Sequence, residues 1–266
     1  MLDRFNRKIN YLRISVTDRC NLRCKYCMPE SGIELLKHED ILRFDEIGNV
    51  VKVAVDSGID KVRITGGEPL VRKDIVKLVS MIRKIDGIKD LSMTTNGIFL
   101  DQFDEDLKKA GLQRVNVSLD TIDPETYKLL TRGGNVKRVF KGIEAAKNAG
   151  LKPIKVNCVV WNSSQEEDAK AVAKYCKEND LQIRYIHQMN LSTGEFSIVE
   201  GGDGGNCIKC NRLRLTANGK IKPCLFNDLE FDVRKLGAEK ALKLAVENKP
   251  KSGTFNQTNK FFNIGG

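Results

Sequence analysis

The sequence has no apolar run of roughly eighteen residues, the length that a membrane-spanning helix needs. Its first residues, Met1 to Arg4, also lack the apolar core of a secretory signal. These two absences predict a cytoplasmic protein without membrane contact. In such a reducing compartment, the 8 cysteines are expected to be metal ligands or catalytic groups rather than disulfides.

Aromatic residues are scarce, at 6% of the chain. Proteins that bind single-stranded nucleic acid place aromatic side chains among Arg and Lys, because bases stack on the rings. The sequence contains no such run, which argues against nucleic acid as a partner. The formal net charge of +10 therefore has two interpretations. It reflects either a solvated Lys-rich surface or a site for an anionic ligand such as a polyphosphate.

Strand-like and helix-like segments alternate as far as Met189. The strand-like segments are short and rich in β-branched residues, and they cover Tyr11–Thr17, Lys61–Thr65, Leu91–Thr95, Arg114–Leu119, Ile154–Val160 and Gln182–Ile186. Between them, apolar residues recur with helical spacing, as at Ile75, Leu78, Val79 and Ile82. This repeated βα pattern predicts an α/β fold with a parallel sheet, either open or curled into a partial barrel.

One face of this sheet is expected to be polar. Arg63 and Thr65 alternate with apolar residues on the second strand, and Asn116 and Ser118 do so on the fourth. Parallel strands that are covered by helices on both faces are usually apolar throughout. The alternation either arose by chance in a mixed sheet or indicates a polar cavity on one side, with helices on the other.

The regular pattern ends after Met189. Residues 190–206 are rich in glycine and are predicted to be a linker. Residues 207–266 carry three cysteines and a short predicted helix near Ala238–Glu247. A core that small usually needs a metal or a docking surface for stability. The predicted organisation is a barrel domain at 1–189, the linker, and a C-terminal auxiliary segment at 207–266.

A first cysteine triplet follows the first strand. Cys20, Cys24 and Cys27 have the spacing C-x3-C-x2-C. Three such thiols can hold three irons of a four-iron cluster and leave the fourth iron open for a small-molecule ligand. Structural zinc prefers four ligands, and the nearest histidine, His38, would complete the set only with irregular spacing. The triplet therefore predicts an iron–sulfur cluster.

A second triplet consists of Cys207, Cys210 and Cys224, with the spacing C-x2-C-x13-C and no histidine nearby. A second cluster with an open iron suits these ligands, and zinc remains an alternative. Arg212 and Arg214 lie between the cysteines, and on an extended segment both would point to the same side. The two guanidinium groups would either clamp an anion such as phosphate or remain solvated.

Two motifs resemble the signature of the radical S-adenosylmethionine (SAM) superfamily. The segment Cys20-Asn21-Leu22-Arg23-Cys24-Lys25-Tyr26-Cys27 is similar to its cluster-binding motif, including the aromatic residue before the last cysteine. Gly66-Gly67-Glu68-Pro69, at the end of the second strand, is similar to its GGEP motif, which binds the amino group of SAM. The resemblance implies a partial (βα)6 TIM-like barrel.

The chain more closely resembles one family, the GTP 3′,8-cyclases of molybdenum cofactor (molybdopterin) biosynthesis. The similarity runs from Leu12 to Met189 and from Cys207 to Phe226, and it includes the final Ile264-Gly265-Gly266. In that family the first of two [4Fe-4S] clusters cleaves SAM, and the resulting 5′-deoxyadenosyl radical takes the C3′ hydrogen of GTP. C3′ then bonds to C8 of the guanine, which the second cluster binds. The product is (8S)-3′,8-cyclo-7,8-dihydroguanosine 5′-triphosphate.

The resemblance also implies roles for individual residues. Each cysteine triplet would hold one [4Fe-4S] cluster. The residues expected to bind SAM are Tyr26, Gly66, Gly67, Glu68, Ser118 and Met189. Those expected to bind GTP, mostly at its triphosphate, are Arg13, Arg63, Thr94, Lys155, Arg212 and Arg214. Those expected to act in catalysis are Arg184, Gly265 and Gly266. The implied partners are an electron donor such as flavodoxin or ferredoxin and a downstream pyranopterin-forming enzyme.

The sequence departs from this family in length. The stretch between Met189 and Cys207 lacks a long segment that members usually carry, and Phe261 stands where many members have methionine. Both departures flank the substrate-binding half. A second hypothesis is therefore a similar enzyme with two [4Fe-4S] clusters that acts on another nucleotide or on a peptide. A third, a non-enzymatic zinc or nucleic-acid module, would contain zinc instead of iron.

Overall fold

The computed structural model describes residues 1–258 and 261–264. Its strands are β1 (Tyr11–Ser15), β2 (Lys61–Thr65), β3 (Asp90–Thr95), β4 (Arg114–Ser118), β5 (Lys155–Val160), β6 (Gln182–His187), β7 (Arg212–Leu215), β8 (Lys220–Lys222) and β9 (Phe231–Asp232). Within the described residues they form one nine-stranded sheet in the order β6-β5-β4-β3-β2-β1-β7-β8-β9. Strands β1 to β6 are parallel and lie side by side in chain order.

Helices connect these parallel strands. The helices are α1 (Phe44–Asp56), α2 (Ile75–Arg83), α3 (Asp104–Lys109), α4 (Pro124–Thr131), α5 (Val136–Asn148), α6 (Glu167–Glu178), α7 (Val233–Leu236), α8 (Ala238–Glu247) and α9 (Phe261–Ile264), with short 3-10 helices at Pro69–Val71 and Leu100–Gln102. The predicted α/β fold, a partial (βα)6 barrel, is thereby confirmed. No helix among the described residues is long and apolar enough to cross a membrane.

The core lies between the sheet and the helices that cover one of its faces. Val62 and Ile64 of β2 are fully buried and belong to the same apolar cluster as Leu78 and Ile82 of α2. The helical spacing in α2 places its apolar residues on one face, so they all reach the sheet together. Each such side chain contributes about 1.5–3 kcal/mol when it is fully buried.

Side-chain caps fix where the two helices that follow β4 begin. α4 begins after Asp123, whose side chain accepts a hydrogen bond from the Thr126 amide at 2.8 Å. α5 begins after Asn135, whose side chain accepts one from the Lys137 amide at 3.0 Å. Both caps satisfy amide groups that the start of a helix leaves unpaired.

The C-terminal segment continues the sheet of the barrel. β7 pairs in parallel with β1, which places Arg212 opposite Tyr11 and Arg214 opposite Arg13. β8 and β9 then add antiparallel strands at that edge. Leu213 of β7 belongs to the same buried cluster as the barrel strands. The second cysteine triplet is therefore attached to the sheet through β7.

Residues 190–206, predicted to be a linker, contain no helix or strand but are fastened to the barrel. Glu200 forms a β-bridge with Tyr185 of β6, and a second bridge joins Asn190 and Glu195. The segment thus folds back over the end of β6.

Candidate active site

A cavity of about 320 Å³ lies on one face of the sheet, between the loop after β1 and the segment that leads into β7, and we call it the central cavity. Both cysteine triplets line it, although their members are far apart in the sequence. The cysteines are Cys20, Cys24, Cys27, Cys207, Cys210 and Cys224. Polar strand residues that also line it are Arg13, Thr65, Thr94, Ser118 and Asn157. The prediction that polar strand residues face a cavity on one side of the sheet holds for Thr65 and Ser118, whereas Arg63 and Asn116 do not line it, and apolar groups make up most of the lining.

The loop that carries the first triplet, residues 16–28, is anchored at both ends. The Gly67 amide donates to Thr17 O at 2.7 Å, which joins the loop to the end of β2. The Lys25 amide donates to Leu130 O at 2.9 Å, which joins it to α4. The side-chain Nδ2 of Asn96, on the loop after β3, lies 3.9 Å from Cys20 Sγ. Backbone contacts therefore hold this loop at the carboxyl end of β2 and at α4, and a side-chain contact links it to the end of β3.

The thiols of the first triplet are half-buried at the cavity wall. Burial raises the pKa of Cys20 and Cys24, and it raises the pKa of Cys27 to about 12, with the neighbouring Cys20 adding to the effect. The three thiols can therefore ionise together only beside a strong positive charge such as iron. Among the described residues, no three His, Cys, Asp or Glu side chains converge on one metal ion. A [4Fe-4S] cluster suits this arrangement because each cysteine binds a different iron.

The SAM residues implied by the resemblance separate into two groups. Tyr26, Gly66, Gly67, Ser118 and Met189 line the central cavity. The hydroxyl of Tyr26 is hydrogen-bonded to Asp120, which follows β4, and burial raises the pKa of Tyr26. These residues line the same cavity as the first triplet, and Met189 also packs against the apolar cluster of Leu191, Phe226 and Ile264.

Glu68 is placed differently from the others. It is 1% exposed and does not line the central cavity. Its carboxylate accepts hydrogen bonds from Thr95 Oγ1 and from the Asn96 amide, both at 2.7 Å. Burial raises the pKa of Glu68 to about 7. In this structure Glu68 joins the ends of β2 and β3, so its effect on a ligand runs through the loop geometry.

Gly67 lies too close to the cysteine loop to carry a side chain. A Cβ atom at this position would be 2.4 Å from Arg19 O and 2.9 Å from Asp18 O, both backbone atoms of the loop. We expect Gly67→Ala to displace the loop, lower the melting temperature by an amount equivalent to about 1–3 kcal/mol, and reduce the iron bound after anaerobic reconstitution. Calorimetry and iron analysis measure the two effects.

Gly48→Ala is the matched control. A Cβ there, in the middle of α1, would meet only Met81 Cε at 4.0 Å, an ordinary contact. Alanine favours a helix over glycine by about 1 kcal/mol, so the melting temperature should rise and the iron content should stay unchanged. Equal iron contents in the two variants would contradict the proposed close fit of Gly67.

The nucleotide residues implied by the resemblance lie in one basic region. Arg13, Thr94, Arg212 and Arg214 line the central cavity. Arg13 is paired in register with Arg214 on one side and with Arg63 on the other. Burial lowers the pKa of Arg214 to about 10, and the adjacent charge of Arg212 adds to this. Positive charge is thus concentrated beside the second triplet.

Three further predicted cations, Arg63, Lys155 and Arg184, lie close to these arginines but do not line the cavity. The guanidinium of Arg63 lies 5.4 Å from the centre of the Tyr11 ring, and its Nε donates to Ser92 Oγ. Burial lowers the pKa of Lys155 and of Arg184, and each interacts electrostatically with Arg63. Within the part of the chain that the structure describes, Arg63, Arg184 and Arg212 form no ion pair with a carboxylate. The region therefore favours an anionic ligand.

Sequence reasoning missed Arg114, which belongs to the same region. Its guanidinium forms two hydrogen bonds with the Asp90 carboxylate, at 3.0 and 2.5 Å, and a third with Asn116 at 3.3 Å. The signal was available, because Arg114 shares its parity on β4 with Asn116 and Ser118. Because Asp90 offsets the charge of Arg114, this arginine contributes to the shape of the region and adds little positive charge to it.

The second triplet has a different electrostatic setting from the first. Burial acts to raise the pKa of Cys210, but the positive charges of Lys249 and Arg212 outweigh it and bring the pKa to about 7. Burial raises the pKa of Cys224, which Lys249 partly opposes. Cys210 is therefore ready to act as a thiolate ligand near neutral pH.

The described end of the chain lies beside the same cavity. Phe261 lines the central cavity, and Ile264 is buried against Leu191 and Phe226. Gly265 and Gly266, which are expected to act in catalysis, lie outside the described residues. Phe196 and Phe226 stack with ring centres 4.4 Å apart and add an apolar wall. Val199 and Gly204 of the predicted linker also line the cavity.

A partial barrel with a three-cysteine loop after its first strand, opening into a cavity on one face of the sheet, defines a radical SAM enzyme. Residues 14–176 match the family model described as "Radical SAM superfamily". The fold is similar to Streptococcus suis SuiB bound to S-adenosylmethionine, with a TM-score of 0.64 and 18% identity over 91% of this chain and 64% of SuiB. AdoMet-bound anSMEcpe gives a TM-score of 0.66 and 16% identity over 91% of this chain and 81% of the other. These two likenesses support the fold alone.

Residues 158–255 match a second model, "Molybdenum Cofactor Synthesis C". The GTP 3′,8-cyclase of Thermodesulfovibrio yellowstonii is 43% identical over 89% of this chain and 88% of its own length. That of Moorella thermoacetica is 42% identical over 88% and 86%. The chain belongs to the GTP 3′,8-cyclase family. The first alignment has 282 positions and the chain 266 residues, so some positions of the relative have no counterpart here.

Proposed function

We propose that this chain is a GTP 3′,8-cyclase, a lyase of molybdenum cofactor biosynthesis that converts GTP to (8S)-3′,8-cyclo-7,8-dihydroguanosine 5′-triphosphate. The observation that carries the proposal is that two cysteine triplets and a row of arginines line one cavity. Membership of the GTP 3′,8-cyclase family supports GTP as the substrate.

Cys20, Cys24 and Cys27 would hold the [4Fe-4S] cluster that works with SAM. When bound together, this cluster and SAM would supply the carbon-centred radical that removes the C3′ hydrogen of the nucleotide. The chain's own contribution is orientation and exclusion of water. Gly66 and Gly67 let the end of β2 approach the cysteine loop closely, since a Cβ at either position would meet that loop.

We propose a second [4Fe-4S] cluster at Cys207, Cys210 and Cys224. Three cysteine ligands would leave one iron open to the base of the nucleotide. The charge around Cys210 supports this assignment, because it favours the thiolate that iron requires. Metal analysis tests it directly: about eight irons per chain and no zinc are expected after anaerobic reconstitution.

The basic region would hold the triphosphate. Arg13, Arg212 and Arg214 line the cavity, and Arg63, Lys155 and Arg184 lie next to them. Planar guanidinium groups match pairs of phosphate oxygens. If the strands bind the triphosphate and the second triplet binds the base, the ribose would face the residues that are expected to bind SAM. Thr94, which also lines the cavity, would contact the nucleotide between these two ends.

A second candidate is the same chemistry on another nucleotide or on a peptide. The observation in its favour is the shortness of residues 190–206, which form part of the cavity wall through Phe196 and Val199. Anaerobic turnover with a strong reductant separates the two candidates. GTP should give the cyclised triphosphate, whereas ATP and short peptides should give none.

The proposed activity also requires partners. A donor such as flavodoxin or ferredoxin would supply electrons, and the net charge of +10 suits an acidic protein of this kind. A downstream enzyme that forms the pyranopterin would consume the product.

Arg212→Ala or Arg214→Ala should weaken GTP binding by roughly ten- to a hundredfold. A hydrogen bond to a charged group contributes about 1.5–3 kcal/mol, and about 1.4 kcal/mol corresponds to tenfold in affinity. Calorimetric titration of the anaerobic holoenzyme with GTP and with guanosine measures the effect. Guanosine, which has no phosphates, should be affected far less.

Arg43→Ala provides the control for loss of one arginine charge. Arg43 is exposed and pairs with Asp45 at the start of α1, far in the sequence from the cavity residues. Its replacement should leave the affinity for GTP unchanged. Equal losses for GTP and guanosine in the Arg212 variant would contradict a role at the phosphates.

A further inference from the structure

Lys249, two residues after the end of α8, is a buried cation between the ligands of the second triplet. It is 1% exposed and lines the central cavity. Its ammonium group donates to Arg212 O at 2.7 Å and to Pro223 O at 2.6 Å. Arg212 follows Cys210 by two residues, and Pro223 directly precedes Cys224. One side chain thus ties together the two backbone segments that carry these cysteines.

Among the residues that the structure describes, the charge of Lys249 has no carboxylate partner. Within residues 1–258 and 261–264, no Asp or Glu oxygen lies within ion-pair distance of its Nζ. Its attractive partners are instead the sulfur atoms of Cys210, to which it is also hydrogen-bonded, and of Cys224. A buried charge is costly unless it is paired. The position therefore calls for a negative group at the second triplet.

Two other buried cations near this site, Lys222 and Arg7, pair with carboxylates. Lys222, which is 0% exposed, lies two residues before Cys224 and 3.9 Å from Glu230. Arg7 pairs with Asp3 at 2.7 Å while it donates to Cys207 O. Lys249 differs from both, because no carboxylate among the described residues pairs with it and its charge faces the sulfur atoms of Cys210 and Cys224. This difference indicates that the charge of Lys249 acts on the second triplet, rather than only supporting the fold.

We propose that Lys249 is a positioning residue for the second cluster, which it holds through the Cys210 and Cys224 segments and whose reduction potential it raises. The inference rests on the proposed second cluster. A cluster with thiolate ligands becomes more negative when it gains an electron, and a nearby positive charge favours that state. Hydrogen bonds to cluster sulfurs act in the same direction and are among the factors that set the potential.

The test uses the full chain with Cys20, Cys24 and Cys27 replaced by alanine, so that only the second cluster remains. This parent should bind about four irons. Adding Lys249→Met should shift the midpoint potential to a more negative value, alter the electron paramagnetic resonance signal of the reduced cluster, and speed iron release to a chelator about tenfold. Lys249→Arg keeps the charge and the donors and should restore all three properties toward those of the parent.

Lys222→Met is the matched control, since it removes a buried lysine whose charge Glu230 offsets. It should leave the potential and the resonance signal as in the parent. If Lys249→Met does not fold, as judged by circular dichroism, Lys249→Gln replaces it with a neutral donor, and the same shifts are expected. An unchanged potential in a folded variant would overturn the role of Lys249 alone. A parent that binds no iron would overturn the second cluster itself, and this inference with it.

Discussion

Replacement of Cys24 by alanine is expected to abolish formation of 5′-deoxyadenosine, while about half of the iron remains bound. Cys24 is the central member of the first triplet, and two thiols hold a four-iron cluster poorly. The loop should keep its course, because Cys24 contributes to it through its carbonyl, which accepts from the amides of Cys27 and Met28, both at 3.0 Å. Anaerobic incubation with SAM and dithionite, followed by chromatography, measures the product.

Cys176→Ala is the control for the loss of a thiol. Cys176 is 1% exposed on α6 and does not line the central cavity. This variant should bind all of its iron and cleave SAM at the rate of the unaltered chain. Cleavage by Cys24→Ala at that same rate would overturn the assignment of the first cluster.

Removal of Gly265 and Gly266 is expected to stop formation of the cyclised nucleotide while SAM cleavage continues. Phe261 lines the central cavity and Ile264 is buried beside it, so the last described residues are anchored next to the site. Glycine passes where no Cβ fits, which suits an approach to a bound substrate. Without the pair, the radical should form but the nucleotide should no longer be guided to ring closure.

Measurement of both products in one reaction decides this point. The double variant Gly265→Ala and Gly266→Ala keeps the chain length and should also lose cyclisation if close approach is what matters. Iron content and melting temperature should match those of the full chain in both cases. A cyclised product formed at the full-length rate would show that the pair is dispensable, and it would favour the hypothesis of another substrate.

The barrel was predictable from sequence because its signals are local. The apolar residues of β2 and the helical spacing of apolar residues in α2 can each be seen within a short segment. In both cases the apolar residues are the ones that the fold buries. The first triplet was equally clear, since Cys20, Cys24 and Cys27 lie within one loop. Topology places the first triplet at the carboxyl ends of the parallel strands, whereas Cys207 and Cys210 precede β7, so their place in the same cavity did not follow from the strand order.

The parts that could not be predicted depend on contacts between distant residues. β7 to β9 are two to four residues long, too short for a periodic pattern to show, so their addition to β1 had no sequence signal. In the sequence, nothing distinguishes Lys249 from the other lysines. Its position between Arg212 and Pro223 is visible only in the fold. The GGEP motif predicted that Glu68 binds SAM, which stays a prediction, but the hydrogen bonds of its carboxylate with Thr95 and Asn96 were visible only in the fold.

The pairing of β1 with β7 has a consequence for how the protein is made. β1 leaves the ribosome among the first residues, yet the partner on one of its sides, Arg212–Leu215, follows about two hundred residues later. Until then one edge of β1 presents unpaired amide and carbonyl groups, which can pair with another nascent chain. Such late, long-range pairing also slows folding. The two cysteine triplets can therefore line one cavity only after most of the chain has been synthesised, and the proposed second cluster would be assembled after that point.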